Sequence, residues 1–273
     1  MTREPVLFVS HGAPTVALEH GPYAEALARF AAAHPAPRAL AVVSAHWTAA
    51  GPVGITSAGH HRLIYDFGGF PDELYALQYP APGSPAVAAR AAALLQAAGF
   101  TARLDPVRGL DHGVWIPLRL AWPGARIPVV QIALPEAPAE VQLRFGAALA
   151  PLREDGVLLV ASGGVVHNLR RVRFGDTAVD PWALAFDAWV AERVDELDAA
   201  ALARWRERGP EAALAAPSPE HFDPLLVAMG ARAPEDRAAT LHAGFAHRNL
   251  SMRSFALRSP AGVPPLDTKG EAA

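Results

Sequence analysis

"VVSAHW", residues 42–47, sets a histidine and a tryptophan directly behind an apolar run that begins at Ala39. A short, uninterrupted apolar run reads as a fully buried strand, so the ring that follows is delivered to the rim of a sheet. The same arrangement ends "VLFVSHG" (6–12) at His11, and "VLLVASGGVVHN" (157–168) reaches His167 after a short link. In an open parallel sheet the carboxyl ends of the strands line the ligand-binding crevice. Three such strands would bring His11, His46 and His167 to one rim, although 35 and 121 residues separate them along the chain.

Outward from these runs, short apolar stretches alternate with alanine-rich helical ones, the pattern of strands joined by crossover helices. Strands are expected near 5–10, 38–45, 52–57, 101–105, 127–133, 157–162 and 251–257. Helices are expected near 21–33, 72–78, 84–98, 114–121, 138–153, 181–207 and 222–230. Ser84 and Pro85 supply a start signal for the third helix and Gly99 its stop. No linker or repeat divides the chain, which predicts one α/β domain with a largely parallel central sheet flanked by helices over residues 1–258. Residues 206–221 and 231–239 read as surface connections, and 259–273 as a flexible C-terminal tail poor in packing residues.

At 273 residues the chain can bury roughly three quarters of its unfolded surface. A net charge of -3 offers no large positive field, which argues against nucleic acid or anionic lipid as a partner. No window has the apolar length of a membrane span, and the N-terminus lacks a leader pattern, so a cytoplasmic protein is expected. Oligomeric state is not written in the sequence. Cysteine is absent and Lys269 is the only lysine, so any metal must sit on nitrogen and oxygen, and lysine chemistry is excluded.

Convergent neutral imidazoles without thiolates suit zinc or iron. Two further histidines sit in suggestive company. In "GLDHGVWIPL" the carboxylate of Asp111 adjoins His112 at a helix start, where it could fix the ring's tautomer or simply cap the helix. In "SPEHFDPLL" His221 lies beside Glu220 and Asp223, again either functional or capping. His20, His34, His60, His61, His242 and His247 read as surface residues. "YDFGGFPDELY" (65–75) carries a kinase-like triplet without its glycine-rich loop, so it is read instead as an aromatic loop, facing a flat ligand or packing around a turn. Neither Ser44 nor Ser162 has the spacing of a hydrolase nucleophile. Arg62, Arg170 and Arg171 read as solvated, or as partners for a substrate carboxylate.

Taken in order, "SHGAP", "VVSAHW", "YDFGGFP", "YPAPGSP", "GLDHGVWIPL", "IPVVQIAL", "SGGVVHNLR" and "EHFDPLL" resemble the DOPA-dioxygenase-like branch of the class III extradiol ring-cleavage dioxygenases, over roughly residues 5–257. The resemblance implies a mixed central sheet and one mononuclear divalent metal, Fe(II) for activity with Zn(II) able to occupy the isolated protein. It implies a small aromatic diol and O2 as reactants. By the same resemblance His11, His46 and His221 correspond to metal ligands, His167 to an acid/base or an additional ligand, and His112 to a residue that contacts substrate and handles protons. Related enzymes outside this branch place a glutamate where His221 stands. The residues alone also fit a zinc hydrolase, or a non-catalytic binding member of the fold.

Overall fold

The computed structural model describes residues 3–260. Its strands are β1 (Val6–Ser10), β2 (Ala39–Ala49), β3 (Val53–Thr56), β4 (Ala102–Asp105), β5 (Val129–Pro135), β6 (Val157–Gly163), β7 (Arg237–His242), β8 (Phe245–Ala246), β9 (Leu250–Ser251) and β10 (Ser254–Arg258). The helices are α1 (Pro22–Ala33), α2 (Asp72–Ala76), α3 (Pro85–Ala97), α4 (His112–Ala121), α5 (Ala139–Leu149), α6 (Pro181–Asp195), α7 (Ala199–Ala203), α8 (Trp205–Arg208), α9 (Ala212–Ala215) and α10 (Asp223–Gly230). Eight strands form one sheet in the order β4-β3-β5-β2-β6-β1-β10-β7. The central four, β5, β2, β6 and β1, are mutually parallel, while β10 and β7 add on antiparallel at one side and β3 meets β5 antiparallel at the other. The sheet is therefore mixed around a parallel centre, and the chain is one α/β domain.

Alternation along the strands divides the core between two faces. Phe8, Val43 and Leu159 join Phe145, Phe186 and Leu225 on the side covered by α5, α6 and α10. Leu7, Val42 and Val160 join Leu27 and Trp115 on the side covered by α1 and α4. Because the central strands are buried on both faces, their sequences are continuously apolar, which is why they were legible.

Four sequence expectations change. The expected strand 251–257 splits into β9, which pairs with β8 in a separate two-stranded sheet, and β10 of the main sheet. The expected surface connection 231–239 contains the start of β7, an edge strand whose half-exposed "RAATLH" lacks an apolar run. The expected helix 181–207 breaks after α6, where Leu197 takes φ +57°. The expected connection 206–221 instead packs α9, with Ala212, Ala215 and Ala216 buried. Residues 261–273, most of the expected tail, lie outside the described residues.

Arg153, 1% exposed, ties the N-terminal segment to the stretch 231–236 ahead of β7. Its guanidinium pairs with buried Asp236 at 2.8 Å and donates to the carbonyls of Glu4 and Ala231 at 2.6 and 2.9 Å. Removing one partner strands the other charge without solvent, so Arg153→Met is expected to lower stability by about 3–5 kcal/mol. Urea denaturation measures this, and an Arg153→Met/Asp236→Leu double variant should recover much of the loss.

Candidate metal centre

The strand ends deliver the histidines by three different devices. His11 follows β1 directly, its backbone N–H donating to the carbonyl of Gly163 at 3.0 Å. His46 lies in a bulge: between Ser44 and Thr48 strand β2 advances four residues while β5 advances one, which throws Ala45, His46 and Trp47 out of register. Bulges of this kind re-aim side chains at sheet ends. Trp47 then lies against Gly54, with the Arg108 guanidinium 4.4 Å from its ring. His221 precedes α10 and is fixed by its carbonyl, which accepts the N–H of Gly164 at 2.8 Å.

The rings of His11, His46 and His221 form a nearly equilateral triangle, with centroids 4.8, 5.3 and 5.0 Å apart. Each offers a nitrogen within 4.8 Å of the others. Oxygen acceptors surround the far nitrogens. Ser162 Oγ donates to the Gly113 carbonyl at 2.5 Å, so it accepts from His11 Nδ1 at 3.0 Å. His46 Nδ1 lies 3.6 Å from Asp66, and His221 Nδ1 lies 3.2 Å from Glu220. The hydrogen bonds at His11 and His221 favour protons on Nδ1 and leave Nε2 of those two rings as a lone pair, and the Asp66 carboxylate favours the same tautomer of His46 electrostatically. His11 Nε2 and His46 Nε2 face each other at 3.0 Å, and buried His221 Nε2 has no hydrogen-bond partner. Facing lone pairs at that distance repel unless a cation lies among them. The separation also suits two nitrogens sharing an ion with bonds of about 2.1 Å. Burial and the neighbouring imidazoles push His11 and His46 well below the ordinary histidine range, so both rings are neutral at neutral pH and available as donors. The donor set fits a divalent metal of intermediate softness.

His112 and His167 flank this triangle, and His46, Asp66 and His112 form a second group whose ligand atoms lie within 4.8 Å of one another. The His112 ring is 4.1 Å from that of His46, and the His167 ring stacks on His221 at 3.5 Å. Burial, reinforced by His221, pulls the His167 imidazole down to about 3. Asp111 does not orient His112, contrary to the sequence expectation. Its carboxylate is fully buried beneath the site, accepting from Ser44 Oγ at 2.8 Å and from Gln131, and burial pushes its pKa up. The carboxylate beside His112 is Asp66: Oδ1 accepts the His112 backbone N–H at 2.9 Å and lies 3.0 Å from Nδ1, while Oδ2 faces His46. Burial alone would raise the Asp66 carboxyl, but the His112 contacts outweigh it and hold it below the usual carboxylate range.

Asp66 is the residue that sequence reasoning missed, inside the aromatic loop. That loop packs on α4, with Tyr65 and Phe67 against Trp115 and Phe67 edge-on to His112 at 5.6 Å. An acidic residue between two aromatic rings is the one local signal it left. Asp66→Asn should weaken metal binding roughly 10–100-fold, the usual effect of removing a carboxylate behind a histidine ligand. Competition with a fluorescent zinc chelator measures it. Among the other histidines, His20 and His60 are exposed as expected, but His34, His61, His242 and His247 are half-buried: His34 pairs with Glu4 at 2.7 Å, His61 Nε2 donates to the carbonyl of Val129 at 3.1 Å, and the His242 and His247 rings lie against Tyr23 and Phe174. Arg62, Arg170 and Arg171 are exposed. Among the described residues no helix is long and apolar enough to cross a membrane.

Residues 5–257 match the family described as the catalytic LigB subunit of aromatic ring-opening dioxygenase. The chain belongs to this family. A LigB relative from Escherichia coli (strain K12), named 4,5-DOPA dioxygenase extradiol, is 39% identical over 259 residues, covering 93% of this chain and 94% of that protein. A protein of the same name from Beta vulgaris is 36% identical over 257 residues, covering 92% and 96%. The solved structure of an uncharacterized Escherichia coli K12 protein superposes with a TM-score of 0.78 at 35% identity, over 93% of this chain and 99% of that one. LigB membership accounts for an α/β domain whose histidines gather at one end of the sheet, and it makes the chain a ring-opening dioxygenase by descent.

Proposed function

We propose that this chain is a metal-dependent extradiol dioxygenase that inserts O2 into the ring of a catechol-type substrate and yields a ring-opened semialdehyde carboxylate. The observation that carries this reading is the convergence of ring nitrogens of His11, His46 and His221 within 4.8 Å of one another, with His221 Nε2 buried without a hydrogen-bond partner. Fe(II) is the working ion in this reading, and Zn(II) is an occupant of the isolated protein. Once bound, the ion supplies Lewis acidity that favours the ionised diol and, as iron, a path for electrons from ring to O2.

The chain supplies the proton handling and the orientation. His112 has Asp66 3.0 Å behind its Nδ1, which would stabilise an imidazolium there and suits His112 to take a hydroxyl proton and return it later. His167 is held neutral by burial and serves as a hydrogen-bonding neighbour on the opposite flank. Phe67, edge-on to His112, offers a flat wall beside the histidines. Neutral ligands leave the charge of a divalent ion largely uncompensated, and that favours an anionic diol over a neutral ring.

Protons compete with the ion only below the ligands' pKa values in the folded protein. Burial holds His11 and His46 below their ordinary 6.5, so between pH 7.5 and about 5.5 metal content is expected to fall less steeply than that of a site built from ordinary imidazoles alone. Dialysis followed by elemental analysis checks this. The function itself is tested by anaerobic Fe(II) reconstitution, then oxygen uptake against catechols with and without a carboxylate side arm. Stoichiometric uptake with a yellow product is expected. Verified metal loading with no uptake overturns the reading, and ester hydrolysis by the zinc form would replace it.

A further inference from the structure

Two loops from opposite sides of the histidine cluster meet through their aromatic rings. From His112 the contacts run to Phe67 at 5.6 Å, from Phe67 to Phe70 at 5.8 Å, and from Phe70 to Phe174 at 6.2 Å. Phe174 follows His167 by seven residues, and His167 stacks on His221. The path therefore returns to the cluster along the backbone and closes a ring of contacts from His112 round to His221. Phe174 is 63% exposed, so burial does not hold it there.

The turn between β8 and β9 does. Arg173 N–H donates to the carbonyl of His247 at 3.2 Å, Gly175 N–H donates to His247 Nδ1 at 3.3 Å, and Asp180 N–H donates to the carbonyl of Arg248 at 3.1 Å. The Arg248 guanidinium reaches Asp180 at 2.6 Å and Asp176 at 2.8 Å. His247 and Arg248 take φ +52° and +81°, a region that residues other than glycine rarely occupy. Next to them the fully buried Asn249 side chain makes no hydrogen bond. Backbone held in such a conformation persists only where its surroundings over-determine it. Here the surroundings are the 169–180 loop.

We infer that Arg248 is a positioning residue that straps the 169–180 loop beside the histidine cluster, and that Phe174 in contact with Phe70 forms a gate limiting how bulky a ligand reaches the histidines. The Phe70 and Phe174 rings are in edge-to-face contact at 6.2 Å, so any ligand passing between them has to displace Phe174, and a branched substituent has to displace it further than a flat ring does. The substrate half of this inference rests on the dioxygenase reading; the strap does not.

The test compares wild type with Arg248→Ala, Arg248→Lys, Arg248→Gly and Phe174→Ala. Arg248→Ala should speed amide exchange across 169–180 by about tenfold, with Arg248→Lys in between. Arg248→Gly removes the strap while relieving the backbone, so it should open the loop as much as alanine does; a wild-type exchange rate there would assign the effect to backbone strain and overturn the strap. In zinc-loaded protein the second-order rate of metal capture by a bulky tetracarboxylate chelator should rise about fivefold in Arg248→Ala and Phe174→Ala. With iron, the ratio of kcat/KM for 4-tert-butylcatechol to that for catechol should rise about fivefold in Phe174→Ala. Unchanged exchange and unchanged chelator rates overturn the proposal. If wild type turns over neither catechol, the dioxygenase reading fails, and the exchange and chelator rates still decide the strap.

Discussion

His46→Ala is expected to empty the metal site and abolish turnover. The loss should exceed the roughly 10–100-fold change in affinity that a carboxylate behind a ligand brings, because a first-hand donor disappears. The bulge that presents His46 is held by β2 pairing with β5 and by Trp47 against Gly54, so the backbone should survive the substitution. His11→Ala and His221→Ala should behave alike. His112→Ala and His167→Ala should differ in kind, retaining the ion while losing turnover, by roughly 10²–10⁴-fold for a residue that moves protons. Elemental analysis of the five variants beside their activities separates the two classes. An empty site in His167→Ala would make that residue a ligand and reassign its role.

Gly163→Ala should disable the same site without touching a side chain in it. An alanine methyl there would lie 2.2 Å from the carbonyl of His221 and 3.1 Å from Pro224 Cγ. The obstacle is backbone, which cannot swing aside as a flexible side chain does. Either β6 or the start of α10 has to move, and each holds part of the triangle: the Gly163 carbonyl fixes His11, and the next N–H fixes His221. Overpacking of this kind typically costs about 1–3 kcal/mol, occasionally more. Metal content should fall with stability although all three histidines remain. Gly164→Ala is the control, since its added methyl meets His167 atoms and the Val166 carbonyl only at ordinary contact distances of 3.7 Å and beyond. Urea midpoints and metal content should single out Gly163; equal behaviour of the two variants would contradict the packing account.

How much of this was legible follows from where the signals lie. β1, β2 and β6 are buried on both faces, so their apolar runs announced themselves, and the histidines behind them marked the rim. β7 was invisible because an edge strand needs no apolar run, and its half-exposed "RAATLH" reads as connection. The broken helix 181–207 stayed hidden because no proline or glycine marks Leu197, where the chain turns left-handed. At the site, the neighbour in sequence misled: Asp111 adjoins His112 in the chain, but the helix start turns that carboxylate toward Ser44 and Gln131. The partner came instead from Asp66, 46 residues away, through tertiary contact that no local pattern encodes. Ser162, unfit as a nucleophile by its spacing, turned out to fix the tautomer of His11.

A crystal structure of the zinc-loaded protein, with anomalous scattering recorded at the zinc edge, tests the central claim most directly. One peak bonded to Nε2 of His11, His46 and His221 is the predicted result. A peak elsewhere, or an ion bound through Nδ1 or held by fewer than those three rings, would contradict it.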